Sequence, residues 1–295
     1  GFNCYASDGV GISSSPKKCA AEFMEYYKKE TNQALISCGG GELMCEILEY
    51  IDFGQLKRLP PKWFMGYSDN TNLIFLLATL TDTAAIYGPN VGAFGMEPWH
   101  ASIQDAYELL QGKKFEMQNY PMWEKESLKD EQHPLAAYHV TEPFLLHTNK
   151  KEGESFKIEG RLLGGCLDCL SHLRGTKFDK VKEFNQKYED DGILWFLESC
   201  DLNVFEMRRT LWSLKQAGWF DTCRGFLIGR PGVQGQIIAG LDQYEAVLSI
   251  LSEFDVPIFM DLDIGHVAPM MPLICGSYGK VTVVGNDCCI AMSLQ

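Results

Sequence analysis

A chain of 295 residues with 46% hydrophobic residues is long enough for two domains with packed cores. Its 26 Lys and Arg against 39 Asp and Glu give a formal net charge of −13. Nucleic acids and anionic lipid surfaces repel such a chain, so we expect neither as a partner. The apolar runs are too short to cross a bilayer, and the first residues, "GFNCYASDGVG", lack the basic and apolar parts of a signal peptide.

Cysteine usage points to a reducing compartment. The eleven cysteines are an odd number and lie in apolar surroundings such as "LISCGG", which is typical of unpaired thiols in a cytoplasmic protein. Cys166 and Cys169 have the spacing of a metal-ligand pair, but zinc needs further ligands, and the adjacent Cys288 and Cys289 do not have that spacing. We therefore expect thiols packed in the core, and neither a metal nor another cofactor.

The pattern of apolar residues predicts an α/β fold in two parts. Residues 1–112 alternate helix and strand, which favours a parallel sheet covered on both faces. The successive segments are "AAEFMEYYKKE" (helix), "ALISC" (strand), "GELMCEILEYI" (helix), "WFMGY" (strand), "TNLIFLLATL" (helix), "AAIYGP" (strand) and "SIQDAYELLQG" (helix). Residues 113–157 are polar and rich in Pro, Glu and Lys, as in a connecting region.

Residues 158–295 are predicted to form a second, β-rich α+β domain. The strands "EGRLLGG", "GILWFLES", "GFLIG", "VPIFMDL", "KVTVVG" and "CCIAMSL" are accompanied by the helices "VFEMRRTLWSLKQAG" and "YEAVLSILSEF".

Ser68 stands where an apolar strand gives way to an apolar helix, in "WFMGYSDNTNLIFLL". A serine at such a turn exposes its Oγ as a nucleophile in the elbow of many hydrolases, and Gly66 suits that turn. Asn70 occupies the position where the hydrolase pattern has glycine, so a simple helix N-cap is the alternative. The segment by itself leaves both roles open.

Three further segments carry candidate groups. Gly39, Gly40 and Gly41 in "SCGGGE" either offer backbone N–H groups to an anion or form only a tight turn. Glu198 ends a buried strand, where a carboxylate needs a partner; a structural pair with Arg208 or Arg209 is the alternative to a catalytic role. His266 follows a strand and a glycine in "MDLDIGHVAPMMPL", a position where catalytic groups concentrate. Together the residues could supply a nucleophile, an orienting carboxylate and a general base.

An ordered series of segments resembles the LD-carboxypeptidase family of serine peptidases, which includes the microcin C self-immunity peptidases. The series spans about residues 10–276 and consists of "SCGGGELMCEILEYIDF", "GYSDNTNL", "IYGP", "GRLLGGCLDCLSHLRGT", "ILWFLES", "GWFDTCRGFLIGRP" and "DIGHVAPMMPLICG". The resemblance implies a flavodoxin-like N-terminal domain that carries the nucleophile elbow, here without its first strand–helix–strand unit. A β-rich C-terminal domain would supply the other catalytic groups. The sequence departs from the family where Cys166 replaces an asparagine.

Residue by residue, the resemblance implies Ser68 as nucleophile, His266 as general base and Glu198 as the group that orients it. The N–H groups of Asp69 and of Gly40 or Gly41 would form the oxyanion hole. The implied reaction is cleavage of an L,D-amide, which releases a terminal D-amino acid from a muropeptide. A homodimer is a possible assembly.

Two substrate-binding residues and two other functions complete the expectations. Arg230 could bind the free carboxylate of an exopeptidase substrate, and Trp123 or Trp99 could stack on a nucleotide base. The second function is therefore hydrolysis of peptidyl or aminoacyl nucleotides, as in microcin immunity. A non-catalytic, two-domain ligand-binding protein is the alternative of another class.

Overall fold

Two main sheets organise residues 1–151 and 154–294, which this computed structural model describes. The strands are β1 (Ala34–Ile36), β2 (Trp63–Gly66), β3 (Ala85–Tyr87), β4 (Glu116–Gln118), β5 (Met122–Trp123), β6 (Glu142–Pro143), β7 (His147–Thr148), β8 (Ser155–Cys166), β9 (Ile193–Glu198), β10 (Cys223–Gly229), β11 (Ile258–Leu262), β12 (Leu273–Cys275), β13 (Tyr278–Val284) and β14 (Asp287–Ser293). The α-helices are α1 (Pro16–Lys28), α2 (Phe53–Leu56), α3 (Thr71–Thr81), α4 (Ala101–Leu110), α5 (Leu167–Leu173), α6 (Val181–Lys187), α7 (Val204–Gln216) and α8 (Gln243–Leu251). Short 3-10 helices cover Asn3–Tyr5, Met44–Tyr50, Ser68–Asn70, Val91–Gly95 and Ser252–Phe254.

The smaller sheet has the strand order β1-β2-β3-β12. Its first three strands run parallel, and β12 pairs with β3 in the opposite direction. Helix α3 lies between the two main sheets, since it contacts β3 of one and β8 of the other. This position explains why α3 is apolar on every side, because a helix covered all round has no solvent-facing stripe.

The larger sheet has the order β4-β14-β13-β8-β9-β10-β11-β7. Its four central strands, β8 to β11, are parallel, and antiparallel strands extend both edges. Helices α5 to α8 form the crossovers between the parallel strands, as parallel connection requires. The carboxyl ends of parallel strands share one edge, so the last residues of β8 and β9, Cys166 and Glu198, are direct neighbours in register.

The structure confirms a mixed α/β fold in two domains. Three strands, however, join a sheet other than the one that the predicted boundaries imply. Strands β4 and β7, from the region predicted to be connecting, join the two edges of the larger sheet. Strand β12, from the predicted second domain, completes the smaller sheet. The boundaries at residues 112 and 158 therefore remain predictions. The segment Met44–Tyr50, predicted to be α-helical, forms a 3-10 helix.

Within the part of the chain that the structure describes, no helix has both the length and the apolar composition needed to cross a bilayer.

Candidate active site

Ser68 occupies a strained turn between β2 and the helical segment that follows. Its φ angle is 63°, in the left-handed region that costs a non-glycine residue about 1–2 kcal/mol. Neither the 3-10 helix Ser68–Asn70 nor α3 has a side-chain cap. Ser68 therefore does not act as a helix N-cap, which was the alternative role. Backbone strain at a polar side chain is typical of functional positions.

Asn70 explains why this turn does without the second glycine of the hydrolase pattern. Its Nδ2 donates to the carbonyl of Gly39 at 2.8 Å and to that of Tyr67 at 2.9 Å, which ties the glycine segment to the turn. The side chain folds back over Gly66, where a Cβ would lie only 2.7 Å from Asn70 Cγ. Glycine is thus required at 66 because asparagine stands at 70.

The glycine segment lies directly against the side chain of Ser68. A Cβ on Gly40 would be 3.0 Å from Ser68 Oγ, so only glycine lets the backbone approach this closely. Among the described residues, the N–H groups of Gly40 and Gly41 have no hydrogen-bond acceptor. Asp69 follows Ser68 and is buried, and its Oδ2 accepts from Met44 N–H at 2.7 Å. The predicted oxyanion donors and Ser68 are therefore neighbours.

The buried carboxylate of Glu198, at the end of β9, pairs with the half-buried His266, which lies in the segment after β11. His266 Nδ1 lies 2.9 Å from Glu198 Oε2, and the other carboxylate oxygen accepts a hydrogen bond from Tyr87. Neither Arg208 nor Arg209 is a partner of this carboxylate, which removes the structural alternative. The sequence analysis missed Tyr87.

Tyr87 joins the two halves of the site. Its hydroxyl also accepts the N–H of Ser68 at 3.4 Å, so one side chain touches both the elbow and Glu198. Burial, followed by the charge of Glu198, raises the pKa of Tyr87 well above its ordinary value, so the hydroxyl stays a donor. Tyr87 is the register partner of Gly66 in the parallel pair β2–β3. The signal in the sequence was a tyrosine at the end of a strand next to the elbow.

His266 has one ring nitrogen available for chemistry. Burial is the largest single influence and lowers the pKa of His266, but the neighbouring Glu198 and Cys200 together outweigh it and raise the pKa to about 11. Nε2 is buried and has no hydrogen-bond partner among the described residues. The contact with Ser68 Oγ is thus not formed in this structure, and such contacts commonly tighten only when substrate binds. The ring packs on Tyr67 with centroids 5.0 Å apart.

A cavity of about 830 Å³ adjoins this site. Gly39, Gly40 and Tyr67, the residue before Ser68, line the cavity together with His266. The wall from the predicted connecting region contributes Trp123, Lys125 and Lys129. This volume lies in the range of small-molecule sites.

The three candidate substrate-binding residues differ in their placement. Trp123 lines the cavity, whereas the second candidate, Trp99, packs against Phe94 outside it. Arg230 is 1% exposed, and its Nη1 lies 2.5 Å from Oδ1 of Asp263. Its Nη2 has no partner among the described residues, but Arg230 does not line the cavity, so we do not place it at the substrate carboxylate.

The cysteines are all unpaired thiols. Cys166 and Cys169 both lie beside the site. Cys169 Sγ donates to the carbonyl of Ser68 at 3.6 Å. Cys166 Sγ, a ring nitrogen of His266 and a carboxylate oxygen of Glu198 lie within 4.8 Å of one another.

The chain is similar in sequence to known proteins over most of its length. A protein of Treponema pallidum (strain Nichols), "Putative carboxypeptidase", is 26% identical over 307 residues, which cover 100% of this chain and 82% of that protein. The Escherichia coli "Microcin C7 self-immunity protein MccF" is 25% identical over 90% of this chain and 75% of its own length.

A solved structure with the same fold is that of MccF in complex with glutamyl sulfamoyl guanosine. It superposes with a TM-score of 0.80 at 20% identity, covering 100% of this chain and 85% of that one. The profile of the LD-carboxypeptidase N-terminal domain matches residues 1–88, and that of the C-terminal domain matches residues 159–281. The chain therefore belongs to the LD-carboxypeptidase family.

Proposed function

We propose that this protein is a serine carboxypeptidase that cleaves an L,D-amide bond and releases a terminal D-amino acid from a muropeptide. The observation that carries the proposal is the Glu198–His266 pair, at 2.9 Å, joined through Tyr87 to the strained elbow of Ser68. Nucleophile, base and orienting carboxylate are the parts of an acyl-transfer triad. Family membership supports the same reaction class.

The reaction follows from the positions of these groups. Ser68 Oγ attacks the scissile carbonyl, and its proton passes to Nε2 of His266. Glu198 holds the proton on Nδ1 and stabilises the imidazolium that forms. The N–H groups of Asp69 and of Gly40 or Gly41 stabilise the developing oxyanion. When the tetrahedral intermediate collapses, His266 gives the proton to the leaving amine. Water then releases the acyl group from Ser68.

Release of D-alanine tests this function directly. A tetrapeptide that contains L-lysine or diaminopimelate before a terminal D-alanine is incubated with the complete protein in a metal chelator. We expect D-alanine to appear with saturable kinetics, whereas the isomer that ends in L-alanine stays intact. Absence of D-alanine release, with hydrolysis of an aminoacyl sulfamoyl nucleoside instead, would favour the second function.

The second function, hydrolysis of peptidyl or aminoacyl nucleotides, rests on the position of Trp123. Trp123 lines the cavity and offers a flat apolar surface to a base, and MccF is among the relatives. A non-catalytic binding protein stays the alternative of another class. It predicts that neither substrate is cleaved although one of them binds.

Lys129 is our candidate for the cation that binds the substrate's terminal carboxylate. It lines the cavity, half-buried, with its ammonium 5.1 Å from the centroid of the Tyr138 ring. Because its ammonium is partly removed from water, burial lowers the pKa of Lys129. In such surroundings a charge-assisted hydrogen bond contributes about 1.5–3 kcal/mol.

Lys129→Met should therefore raise the KM for the tetrapeptide by about 10- to 100-fold, with little change in kcat. Steady-state kinetics on the free acid and on the C-terminal amide measure the effect. The wild type should prefer the acid, and Lys129→Met should lose this preference. Lys113→Met, on the exposed surface, serves as the matched control. An unchanged preference for the acid would show that another group binds the carboxylate.

A further inference from the structure

We propose that the catalytic pair and Cys166 form a binding site for a thiophilic divalent cation of the zinc type, and that the bound cation blocks the peptidase. The inhibitory part of this proposal rests on the proposed function, whereas cation binding itself does not. Three side chains of different chemistry, a thiol, a carboxylate and an imidazole, meet at this point. These are the ligand types that zinc prefers.

The position of the ligands follows from the sheet. Cys166 ends β8 and Glu198 ends β9, and the two residues are partners in a parallel pair. Their side chains therefore lie next to each other at the carboxyl edge of the sheet, where His266 meets Glu198. The N–H of Cys166 donates to Thr71 Oγ1 at 3.0 Å, which fixes the backbone under the thiol.

The distances suit a cation after small side-chain shifts, in which the 2.9 Å separation of His266 Nδ1 and Glu198 Oε2 widens slightly and Cys166 Sγ moves closer. The three ligand atoms lie within 4.8 Å of one another. Atoms bound to one tetrahedral zinc at about 2.0–2.3 Å are separated by about 3.3–3.7 Å, so side-chain shifts of about 1 Å suffice. All three ligand residues belong to loops or strand ends, where such shifts do not disturb the hydrogen bonds within the sheet.

The charges also balance. Cation binding displaces the proton of the Cys166 thiol, as metal binding to thiols does. Thiolate and carboxylate then carry two negative charges and neutralise a dication in a site where Cys166 and Glu198 are each 1% exposed. His266 Nδ1, 2.9 Å from Glu198 Oε2, is the ring nitrogen that faces the carboxylate, and it binds the cation once its proton is also displaced. A fourth position is left for water or another donor, as in open zinc sites.

The neighbouring Cys169 does not belong to this ligand set. Its Sγ points to the elbow, where it donates to the carbonyl of Ser68 at 3.6 Å and lies 3.8 Å from Asp69 Oδ1. An ordinary Cys-x-x-Cys site would use Cys166 and Cys169, and it would not need His266. The two sites are therefore distinguishable by which substitutions abolish binding.

Cobalt titration of the metal-free complete protein tests cation binding without any substrate. Co²⁺ should bind with a stoichiometry of one and give a near-ultraviolet thiolate charge-transfer band, and zinc should displace it. Cys166→Ser and His266→Ala should each lose the band and weaken zinc binding about 100-fold or more, since even outer partners contribute 10- to 100-fold. Cys169→Ser and the remote Cys223→Ser should keep both. Urea unfolding verifies that each variant is folded, and Cys166→Ala replaces Cys166→Ser if the latter is not.

A band that survives in His266→Ala but is lost in Cys169→Ser would overturn the proposal in favour of a plain dithiol site. No band in the wild type would also overturn it. Peptidase activity is measured separately in chelator and with added zinc. Zinc should suppress D-alanine release in the wild type and in Cys223→Ser. If D-alanine is released at the same rate with and without zinc, inhibition by the cation is refuted but the peptidase is not. If the cobalt band appears but no D-alanine is released, the proposed peptidase is refuted but cation binding is not.

Discussion

Replacing Ser68 by alanine should lower kcat for D-alanine release by about 10⁴- to 10⁶-fold, because removal of a triad nucleophile leaves only binding and oxyanion stabilisation. Ser68→Gly should be equally inactive. Its free energy of unfolding should nevertheless exceed that of Ser68→Ala by about 1 kcal/mol, since the φ angle of 63° strains alanine but not glycine. Urea unfolding with single-turnover kinetics measures both effects.

A serine-directed phosphonate provides the second measurement for Ser68. The wild type should be labelled at one site, and the label should be absent from Ser68→Ala and strongly reduced in His266→Ala. Ser213→Ala, a serine-to-alanine change in α7, controls for the substitution itself and should keep labelling and activity. Activity of Ser68→Ala above one-tenth of the wild type would contradict the nucleophile assignment. Failure of the wild type to react would favour a binding protein.

Replacing Glu198 by glutamine should lower kcat/KM by about 10³- to 10⁴-fold and also change its dependence on pH. His266 acts as a base only when it is neutral. The Glu198 carboxylate favours the charged imidazolium and raises the pKa of His266, so the wild type gains activity only as the pH rises through that pKa. Without the carboxylate, the largest influence that raises the pKa of His266 is lost, so burial shifts this pKa downward. The acidic limb of the profile should therefore move to lower pH.

The same shift in the pKa of His266 sets how the stability contributed by the Glu198–His266 pair depends on pH. A histidine whose pKa is raised in the folded state contributes stability that is fully present below its unfolded pKa, about 6.5. The contribution is lost as the pH rises through the folded-state pKa. The difference in unfolding free energy between wild type and Glu198→Gln should accordingly be largest in mild acid and shrink in alkali. Glu159→Gln, which removes an exposed carboxylate, should leave both the rate profile and this difference unchanged. An acidic limb that stays in place in Glu198→Gln would contradict the coupling.

The sequence predicted the elements well wherever the pattern of apolar residues was long and regular. The helices around α3, α4 and α7 and the strands β2, β3 and β9 lie where the periodicity indicated them. It failed at Met44–Tyr50, within the predicted helix "GELMCEILEYI", because spacing of apolar residues does not distinguish a short α-helix from a 3-10 helix. Single segments also carry no information about pairing across the chain. The sequence analysis therefore predicts none of the short strands β4, β7 and β12.

Candidate site residues were easier to identify from the sequence than the contacts between them. The order of the segments with Ser68, Glu198 and His266 singled out these side chains, since each stands at the end of an apolar run. Arg230 was selected by the same criterion, at the end of β10, yet it lies buried against Asp263. Position at a strand end is thus a sign of function only when the side chain reaches a cavity, which depends on the neighbouring strands.

By itself, the sequence determined the fold class, the family resemblance and the turn at Gly-Tyr-Ser-Asp, because these depend on local periodicity and on residues close together in the chain. Only the tertiary structure decided that Glu198 pairs with His266 and that Tyr87 connects this pair to the elbow. It also decided that Cys166 stands beside Glu198. These contacts join residues up to 111 positions apart. They arise from strand register and from the packing of α3 between two sheets, which no local pattern encodes.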